Sequence, residues 1–304
     1  MAGVPLGAPV VAGDLAANVV DIRRFSTHDG DGIRTTIFLK GCSLACSWCQ
    51  NPETISPARR PVFFRSRCID CGLCLGEASG GAAVRDSEGA VRVDTTRRDA
   101  DWDGLVRLCP TGAIAYDSNR YTVSELVEIA QRDRVFFGAQ GGVTLSGGEP
   151  LLLPGFAPAL LRALKEAGID TAVETALNVR REHVFEALAW CDHMFADCKL
   201  IDSAAHRRHA GNGNERILSN LEALLRSDRR DDITVRTPLI PGITDGADNI
   251  AGIARFISGL YPGVRYELLN YNPLAAAKYD NLPGRDFVFS AEDNPPMFTK
   301  AQLA

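Results

Sequence analysis

Short apolar runs alternate with segments whose apolar residues recur at helical spacing, and this rhythm fills most of the chain after residue 119. With the run at 35–39 there are six apolar runs, an alternation that predicts a parallel sheet with crossover helices. Six units are fewer than the eight of a closed barrel, so we predict an α/β fold, a partial (β/α)6 TIM-like barrel. An open doubly wound sheet is the alternative. The predicted strands are 35–39, 143–145, 170–174, 194–197, 233–239 and 264–269, and the predicted helices are 122–134, one ending at Gly168, 181–190, 215–225 and 248–258.

Three parts of the chain fall outside that rhythm. Residues 1–18 are rich in Ala, Gly, Pro and Val and lack the basic start of a signal peptide, so they are predicted to form a flexible tail. The run at 19–25 is predicted to be a short edge strand. Residues 57–118 have few recognisable helices and contain four cysteines, which indicates a small inserted module. The barrel is therefore predicted to comprise 19–56 and 119–304.

Composition narrows the classes of function. The 304 residues are 45% hydrophobic and 23% charged, which is ordinary for a globular protein. The net charge is -5 and no long basic run occurs, so no nucleic-acid partner is expected. No apolar run is long enough to span a membrane. Nine cysteines without an export signal indicate the reducing cytoplasm and favour metal ligation over disulfides.

The densest chemistry lies in the loop after the first predicted barrel strand, where Cys42, Cys46 and Cys49 fall within eight residues. Thiolates are soft ligands that hold zinc or iron–sulfur clusters. A structural zinc site usually has four ligands, and no fourth Cys or His lies nearby in the sequence. Three thiolates can instead hold three irons of a cubic cluster and leave the fourth iron open. The loop therefore predicts a metal cluster with an open position, and a zinc knuckle or buried structural thiols are the alternatives.

Polar residues and glycines also collect where the other predicted strands end, which is where parallel α/β folds place their ligand site. Two glycines let a ligand approach the backbone closely, and the glutamate after them is suited to accept from an ammonium group. Each residue taken singly has an ordinary structural interpretation, such as an outer-face position for Arg236. Together they indicate a site for an amino-acid-like ligand, with Lys199 facing its carboxylate. The residues are Gly147, Gly148, Glu149, Glu174, Thr175, Asp197, Lys199, Arg236 and the run 270–272.

These motifs resemble a known family. The segments 29–34, 38–42 and 51–53, with Cys46, Trp48 and Cys49, are similar to the signature of radical S-adenosylmethionine (radical SAM) enzymes. Within that superfamily the chain resembles the activating enzymes of glycyl radical enzymes, of the pyruvate formate-lyase activase type. Further similar positions are 141–151, 197–199, His206, Arg236 with 238–242, and 278–279, so the resemblance covers about 20–284.

The resemblance implies a mechanism. Cys42, Cys46 and Cys49 would hold a [4Fe–4S] cluster whose open iron binds SAM, and an electron from a flavodoxin or ferredoxin-type donor would cleave SAM to a 5'-deoxyadenosyl radical. In that family the radical takes a hydrogen atom from a glycine of a partner glycyl radical enzyme. Lys199 and Arg236 are expected at the catalytic centre. The implied SAM-binding residues are Trp48, Gly147, Gly148, Glu149, Glu174, Thr175, Asp197, Lys199, Arg236 and Asn272, and a monovalent cation is expected beside Glu174, Thr175 and Asp197.

The cysteines of the insert resemble a bacterial two-cluster ferredoxin, in which the fourth cysteine of each repeat ligates the other cluster. Three positions of the first repeat are present, and only the last position of the second. Crossed ligation then predicts a ferredoxin-like module with one auxiliary [4Fe–4S] cluster, and zinc is the alternative. The predicted ligands are Cys68, Cys71, Cys74 and Cys109, and the lost ligands of the other cluster correspond to Ala78, Asp99, Trp102 and Leu105. Cys191 and Cys198 are predicted to be structural.

Three functions compete at this point. The first is an activating enzyme that installs a glycyl radical on a partner. The second is a radical SAM enzyme acting directly on a small molecule, because Asp31 stands where the family usually has Pro, Asn272 where it usually has His, and one auxiliary cluster is absent. The third is a non-catalytic iron–sulfur electron carrier or sensor. The glycine–glycine–glutamate segment argues against the third, because an electron carrier does not need it.

Overall fold

The computed structural model describes residues 15–76, 80–282 and 284–303, so residues 1–14 of the predicted tail and Ala78 lie outside the described residues. The strands are β1 (Ala16–Ser26), β2 (Arg34–Leu39), β3 (Pro61–Phe63), β4 (Ala83–Arg85), β5 (Val91–Val93), β6 (Ile114–Tyr116), β7 (Asn119–Thr122), β8 (Gly142–Gly147), β9 (Asp170–Thr175), β10 (His193–Asp197), β11 (Ile233–Pro238) and β12 (Arg265–Leu269). The α-helices are α1 (Trp102–Leu108), α2 (Val123–Phe137), α3 (Phe156–Glu166), α4 (Arg181–Leu188), α5 (Ser203–Ala210), α6 (Glu215–Leu225), α7 (Ala247–Leu260) and α8 (Lys300–Leu303).

An eight-stranded sheet organises the fold, in the order β12-β11-β10-β9-β8-β2-β1-β7. Six neighbouring strands of this sheet run parallel, and their order in the sheet is their order along the chain. They are β2, β8, β9, β10, β11 and β12. A doubly wound sheet would reverse its strand order at a switch point, and no reversal occurs here. The predicted mixed α/β fold with a central parallel sheet is confirmed, and its uninterrupted order is that of a barrel left open between β12 and β7.

The first strand differs from its prediction as an edge strand. β1 pairs antiparallel with β2 on one side and with β7 on the other, so it lies inside the sheet and begins at Ala16. The reason is β7, which follows the insert and pairs Asn119 with Val19. Because β7 takes the outer position, the prediction of an edge strand was wrong.

Strand β2 is buried along its whole length and divides its side chains between two faces. The Thr35 hydroxyl donates to Asp133 of α2 at 2.8 Å, so its face meets the outer helices. Thr36, on the opposite face, donates to Asp29 at 2.6 Å inside the barrel. Helix α2 starts with the predicted capping box, in which Thr122 and Glu125 satisfy each other's backbone N–H groups. No helix among the described residues is both long and apolar enough to cross a bilayer.

A buried ion pair closes the barrel at the amino ends of its strands. Arg34 is 0% exposed, and it donates to Thr144 at 2.7 Å and to the Asp170 carboxylate at 2.8 Å. Asp170 also lies 3.2 Å from His193, and this hydrogen bond raises the pKa of His193. Because this ion pair lies at the amino ends of the strands, it leaves the carboxyl ends available for a ligand site.

The segment between β2 and β7 contains two small antiparallel pairs, β3 with β6 and β4 with β5, and the short helix α1. Three of the positions that correspond to lost ferredoxin ligands are described, and each has a structural role. Asp99 pairs with Arg97 at 2.8 Å, Trp102 donates its indole N–H to the Arg97 carbonyl at 2.9 Å, and Leu105 is 0% exposed. Ion pairing, a hydrogen bond and packing therefore fix these three side chains.

Candidate functional site

The cysteine loop, residues 42–49, follows β2 and is fixed by backbone hydrogen bonds to distant segments. Cys42 donates its N–H to the Ile55 carbonyl at 3.0 Å. Ala45 and Ser47 donate to the carbonyls of Ala210 and His209 at the end of α5, at 2.9 and 2.8 Å. The loop therefore has one defined conformation before any ligand is considered.

The C-terminal part of the chain covers the same loop. The Tyr279 hydroxyl donates to the Cys49 carbonyl at 2.9 Å, and the Val288 N–H donates to the Ser47 carbonyl at 2.9 Å. Phe287 packs on Tyr279 with ring centroids 5.2 Å apart. An aromatic layer thus closes the loop on the side away from the barrel strands.

The three thiols of the cysteine loop are free and lie close enough together to interact electrostatically. Burial raises the pKa of Cys42 and of Cys49 to about 12, and it raises the pKa of Cys46 as well. Buried thiolates need a positive charge beside them. Iron ions would supply that charge, so the donor set fits an iron–sulfur cluster.

A single metal ion fits less well. Among residues 15–76, 80–282 and 284–303, no group of three or more His, Cys, Asp or Glu side chains is arranged to hold one ion. A zinc ion would need its four ligands drawn in to about 2.0–2.3 Å. A cubic cluster is wider, because several iron and sulfide ions lie between its thiolates.

The two glycines after β8 are required by packing against β2 and the cysteine loop. Gly147 has φ +112, and a Cβ there would lie 2.4 Å from the backbone of Leu39. A Cβ on Gly148 would lie 2.2 Å from the Gly41 carbonyl oxygen. Glu149 then donates its own N–H to that same carbonyl at 2.7 Å. The glycines bring the β8 segment against the cysteine loop, a reason that sequence reasoning had not given.

Glu149 is 1% exposed and joins the ends of β8 and β9. Its carboxylate accepts from the Thr175 hydroxyl at 2.9 and 3.0 Å, from the Ala176 N–H at 2.9 Å and from the Leu151 N–H at 3.1 Å. Burial raises the pKa of Glu149 to about 7 despite these donors. The residue expected to accept from a ligand ammonium thus already has three protein donors.

A charged chain crosses the barrel interior from β8 to β12. Glu174 accepts from Ser146 at 2.5 Å and from the Arg236 guanidinium at 2.8 Å. Arg236 also donates to Glu267 at 2.8 Å, and its guanidinium lies 3.4 Å from the centroid of the Phe195 ring. Burial, followed by the charge of Asp29, raises the pKa of Glu174 to about 7. Arg236 therefore faces the interior, and the alternative of an outer-face residue was wrong.

Asp197 and Lys199 share one face at the end of β10, where the lysine ammonium donates to the aspartate carboxylate. Burial would by itself lower the pKa of Lys199, but the negative charges of Asp197 and Cys46 outweigh it and raise that pKa. The lysine charge in turn acts to lower the pKa of Cys42 and Cys46. Lys199 is thus a cation with a 12% exposed side chain, between the cysteine loop and the acidic interior.

Two predicted positions lie apart from this group. Asn272 is exposed, and its side-chain oxygen accepts from the Leu274 N–H at 3.0 Å as a helix cap. Trp48 is 4% exposed and packs 6.3 Å from the His209 ring on the α5 side of the loop. The structure brings together the other members of the predicted set, which are Cys42, Cys46, Cys49, Gly147, Gly148, Glu149, Glu174, Thr175, Asp197, Lys199 and Arg236.

Sequence reasoning missed a polar junction between the cysteine loop, the insert and the C-terminal part. Lys40 is 3% exposed and donates to Asp117, the residue before the insert ends, at 2.7 Å. Lys278 donates to Glu53 at 2.7 Å and to Asn51 at 2.8 Å. Motif matches had flagged the segments of Asn51, Glu53 and Lys278, but no local signal predicts a pair 225 residues apart.

The four insert cysteines line one shallow depression together with apolar side chains of β3, β5 and β6. Cys74 interacts electrostatically with the other three thiols, and burial raises its pKa. Burial also acts on Cys109, but hydrogen bonds from Ile114, at 3.4 Å, and from Thr111 outweigh it and lower the Cys109 pKa. These four thiols therefore converge as a second donor set near the surface.

Comparison with known proteins agrees with this geometry. The family model of the radical SAM superfamily matches residues 107–257. The chain is similar to the isethionate sulfite-lyase activating enzyme of Desulfovibrio desulfuricans, with 39% identity over 88% of this chain and 86% of that protein. It is 35% identical to the indoleacetate decarboxylase activating enzyme of Tractidigestivibacter scatoligenes, over 89% and 88% of the two chains. It is 34% identical to the choline trimethylamine-lyase activating enzyme of Oleidesulfovibrio alaskensis, over 92% and 91%. These three relatives are named for three different target enzymes.

Proposed function

The chain belongs to the radical SAM superfamily and, within it, to the activating enzymes of glycyl radical enzymes, and from that membership we propose that it installs a glycyl radical on a partner enzyme. The observation that carries the proposal is the set of three free thiols at the carboxyl ends of the parallel strands, beside the cation of Lys199. An electron carrier would need no such polar barrel interior next to its cluster.

The chemistry divides between the bound groups and the protein. When bound, the reduced cluster supplies the electron that cleaves SAM to methionine and a 5'-deoxyadenosyl radical, which takes a hydrogen atom from the partner's glycine. Cys42, Cys46 and Cys49 would hold the cluster, and the cysteine loop keeps solvent from it through its cover of Tyr279 and Val288. The cluster would bind the amino-acid part of SAM.

We assign the remaining positioning roles to interior side chains. Lys199 meets the SAM carboxylate, because it is the cation next to the thiols. Arg236, held between Glu174 and Glu267, presents its guanidinium to the space in which SAM and the target glycine meet. Glu149 holds the ends of β8 and β9 together, so the two strand ends that form the binding surface do not move apart.

A monovalent cation is part of the proposal. Burial raises the pKa of both Glu149 and Glu174, and the nearby charge of Asp197 contributes to each shift. A cation beside Glu174, Thr175 and Asp197 would relieve that repulsion and let the carboxylates ionise near neutral pH. Its presence is tested by measuring SAM affinity in potassium, sodium and large organic cations, where equal affinities would contradict the assignment.

We further propose that residues 57–118 form a ferredoxin-like module holding one auxiliary [4Fe–4S] cluster on Cys68, Cys71, Cys74 and Cys109. Their convergence on one depression and the hydrogen bonds to the Cys109 thiol support this ligand set. A flavodoxin or ferredoxin-type protein supplies the electron. The nine free cysteines suit the reducing cytoplasm, which we propose as the compartment.

The test uses the reconstituted protein under anaerobic conditions, with dithionite as reductant and SAM. We expect 5'-deoxyadenosine, and a glycyl radical signal in spin resonance when the correct partner is present. The panel contains isethionate sulfite-lyase, indoleacetate decarboxylase and choline trimethylamine-lyase, each with a variant whose radical glycine is replaced by alanine. If no 5'-deoxyadenosine forms with any partner, the proposal that this chain is a radical SAM enzyme is contradicted. SAM cleavage without any glycyl radical, on this panel and on a glycyl radical enzyme encoded beside this gene, would favour a small-molecule substrate.

A further inference from the structure

A cavity lies against the cysteine loop, beside Ser43. It has a volume of about 700 Å³ and lies among loops at the carboxyl ends of the parallel strands: the cysteine loop after β2, the segments after β8 and β9, and the turn between α5 and α6. Asn178 and Asn212 line it, and both donate to the Ser43 carbonyl, at 3.3 and 2.8 Å. Its floor is therefore the backbone next to Cys42.

The cavity is cationic in a chain whose net charge is -5. Arg180, Arg207 and Arg216 line it with one carboxylate, Glu215. Arg216 makes no hydrogen bond or ion pair within the described part of the chain, and Arg207 lies a loose 3.9 Å from Glu215. All three arginines are exposed. Two or more of these charges are thus available to a binding partner.

Ser43 provides a second observation. Its hydroxyl oxygen is buried in the wall of the cavity and has no hydrogen-bond partner among the described residues. A buried polar atom without a partner costs free energy, typically about 1–3 kcal/mol. An incoming polar group or an interface water would remove that cost.

We propose that this cavity, the donor face, is the docking site of an acidic one-electron donor protein of the flavodoxin or ferredoxin type. The inference rests on the proposed function and names the place where its electron enters. Exposed guanidiniums around an open depression suit the carboxylates of a protein surface, because a site for a small anion would bury its charges. Such a charge pattern mainly raises the rate of encounter.

The position suits electron transfer because Ser43, in the cavity floor, is covalently next to Cys42. One electron leaves the donor's reduced cofactor, which is oxidised by one electron, and reduces the [4Fe–4S] cluster on the cysteine loop by one electron. No atom or proton needs to cross the interface. Glu174, Asp197 and Arg236 do not line this cavity, so a docked donor leaves these interior side chains free for SAM and the target glycine.

The experiment measures binding by calorimetry between the reconstituted protein and two probes, flavin-loaded flavodoxin and a low-potential ferredoxin. The variant carries Arg180→Glu, Arg207→Glu and Arg216→Glu together. We expect at least one probe to bind the natural protein more weakly as ionic strength rises, and the variant to bind it about tenfold or more weakly. The rate of cluster reduction by that donor should fall by a similar factor.

Controls separate this inference from the proposed function. Arg132→Glu on α2, where the side chain is 69% exposed, is the matched charge reversal and should leave binding unchanged. Dithionite bypasses the donor, so 5'-deoxyadenosine formed with dithionite tests SAM cleavage independently. If the triple variant does not fold, Arg216→Gln takes its place, with a smaller weakening expected.

Four outcomes of the experiments with protein partners would overturn the assignment. These are unchanged donor binding in the variants, an equal loss in Arg132→Glu, binding of neither probe to the natural protein, and loss of the partner enzyme's binding instead of the donor's. Inorganic phosphate that binds this cavity tightly without competing with the donor would assign it to a small anion instead.

Discussion

The two cysteine groups of this chain use the same side chain in opposite surroundings. The cysteine loop is buried between the barrel and its C-terminal cover, where burial raises the pKa of its three thiols. The insert holds its four thiols near the surface, where hydrogen bonds lower the pKa of Cys109. Burial gives the first group a dry site for reactive chemistry, whereas shallow placement suits a group that only passes electrons.

The carboxyl groups of the barrel and of the insert differ in the same way as the cysteines. In the barrel, burial raises the pKa of Glu149 and Glu174 to about 7. In the insert, the Arg97 side chain lowers the pKa of Asp99 to about 2, and Arg65 likewise lowers the pKa of Asp70. Burial in the barrel therefore favours the neutral form of these carboxyl groups, whereas the arginines of the insert favour the ionised form. The lesson is that exposure, more than residue type, decides which group is reactive.

The largest expected effect comes from Cys46→Ala in the cysteine loop. Its thiol is one of three that hold the proposed cluster, so 5'-deoxyadenosine formation with dithionite should fall to the background without enzyme. The matched control is Cys191→Ala, because Cys191 is 0% exposed but hydrogen-bonds to the His193 carbonyl. Activity that survives Cys46→Ala would remove the distinction between the two cysteine groups.

Alkylation of the metal-free protein measures the distinction directly. Cys71 is exposed, whereas Cys46 is buried with a raised pKa, and the thiolate is the species that reacts. We expect iodoacetamide to modify Cys71 at least about 100-fold faster than Cys46, as followed by peptide mass spectrometry. Equal rates would mean that the loop is open without its cluster.

Cys109→Ala should halve the iron content. The natural protein should contain about eight irons if both clusters are cubic, and the variant about four. SAM binding should be spared because the cysteine loop is intact. Twelve irons in the natural protein would contradict the accounting of the lost ferredoxin cluster.

The smallest effect concerns pH. Glu174 has a folded pKa of about 7 against an ordinary 4.5, so its contribution to stability is full below pH 4.5 and is lost as pH rises to 7. Glu174→Gln removes this titration. Between pH 4.5 and 7 the free energy of unfolding should therefore fall less in the metal-free variant than in the metal-free natural protein, with a difference on the order of 1–2 kcal/mol.

Asp99→Asn is the control for that measurement. The Asp99 pKa is lowered from 3.8 to about 2, so its contribution is lost only as pH falls below 3.8. The slope between pH 4.5 and 7 should be unchanged. A change equal to that of Glu174→Gln would show that the two regions do not differ.

Local patterns were enough to predict the six parallel strands and the start of α2. They failed for α5, in which only His206 and Ala210 are buried, because a helix without an apolar stripe gives no periodic signal. They also failed for the three-residue strands of the insert, which are too short to show alternation. The neighbours of β1 depended on β7, about 100 residues away.

The site could be predicted where its residues follow strand ends, as Glu149, Glu174 and Asp197 do. The partners of those residues could not, because Arg236 and Glu174 meet from positions 62 residues apart. The donor face comes from several separate segments, and its three arginines lie outside every motif. Asn272 was predicted to bind SAM, yet its exposed side chain caps the 3-10 helix Pro273–Asn281. Tertiary contacts decide these cases.

The cover of the cysteine loop also has a consequence for synthesis. The bond from Tyr279 to the Cys49 carbonyl joins residues 230 positions apart. At about 5–20 residues per second, roughly 10–50 seconds pass between the appearance of the three thiols and that of their cover. During this interval the nascent loop is accessible to iron and sulfide carriers and to oxidants alike. The order of synthesis thus gives assembly of the cluster a window that closes with the last part of the fold.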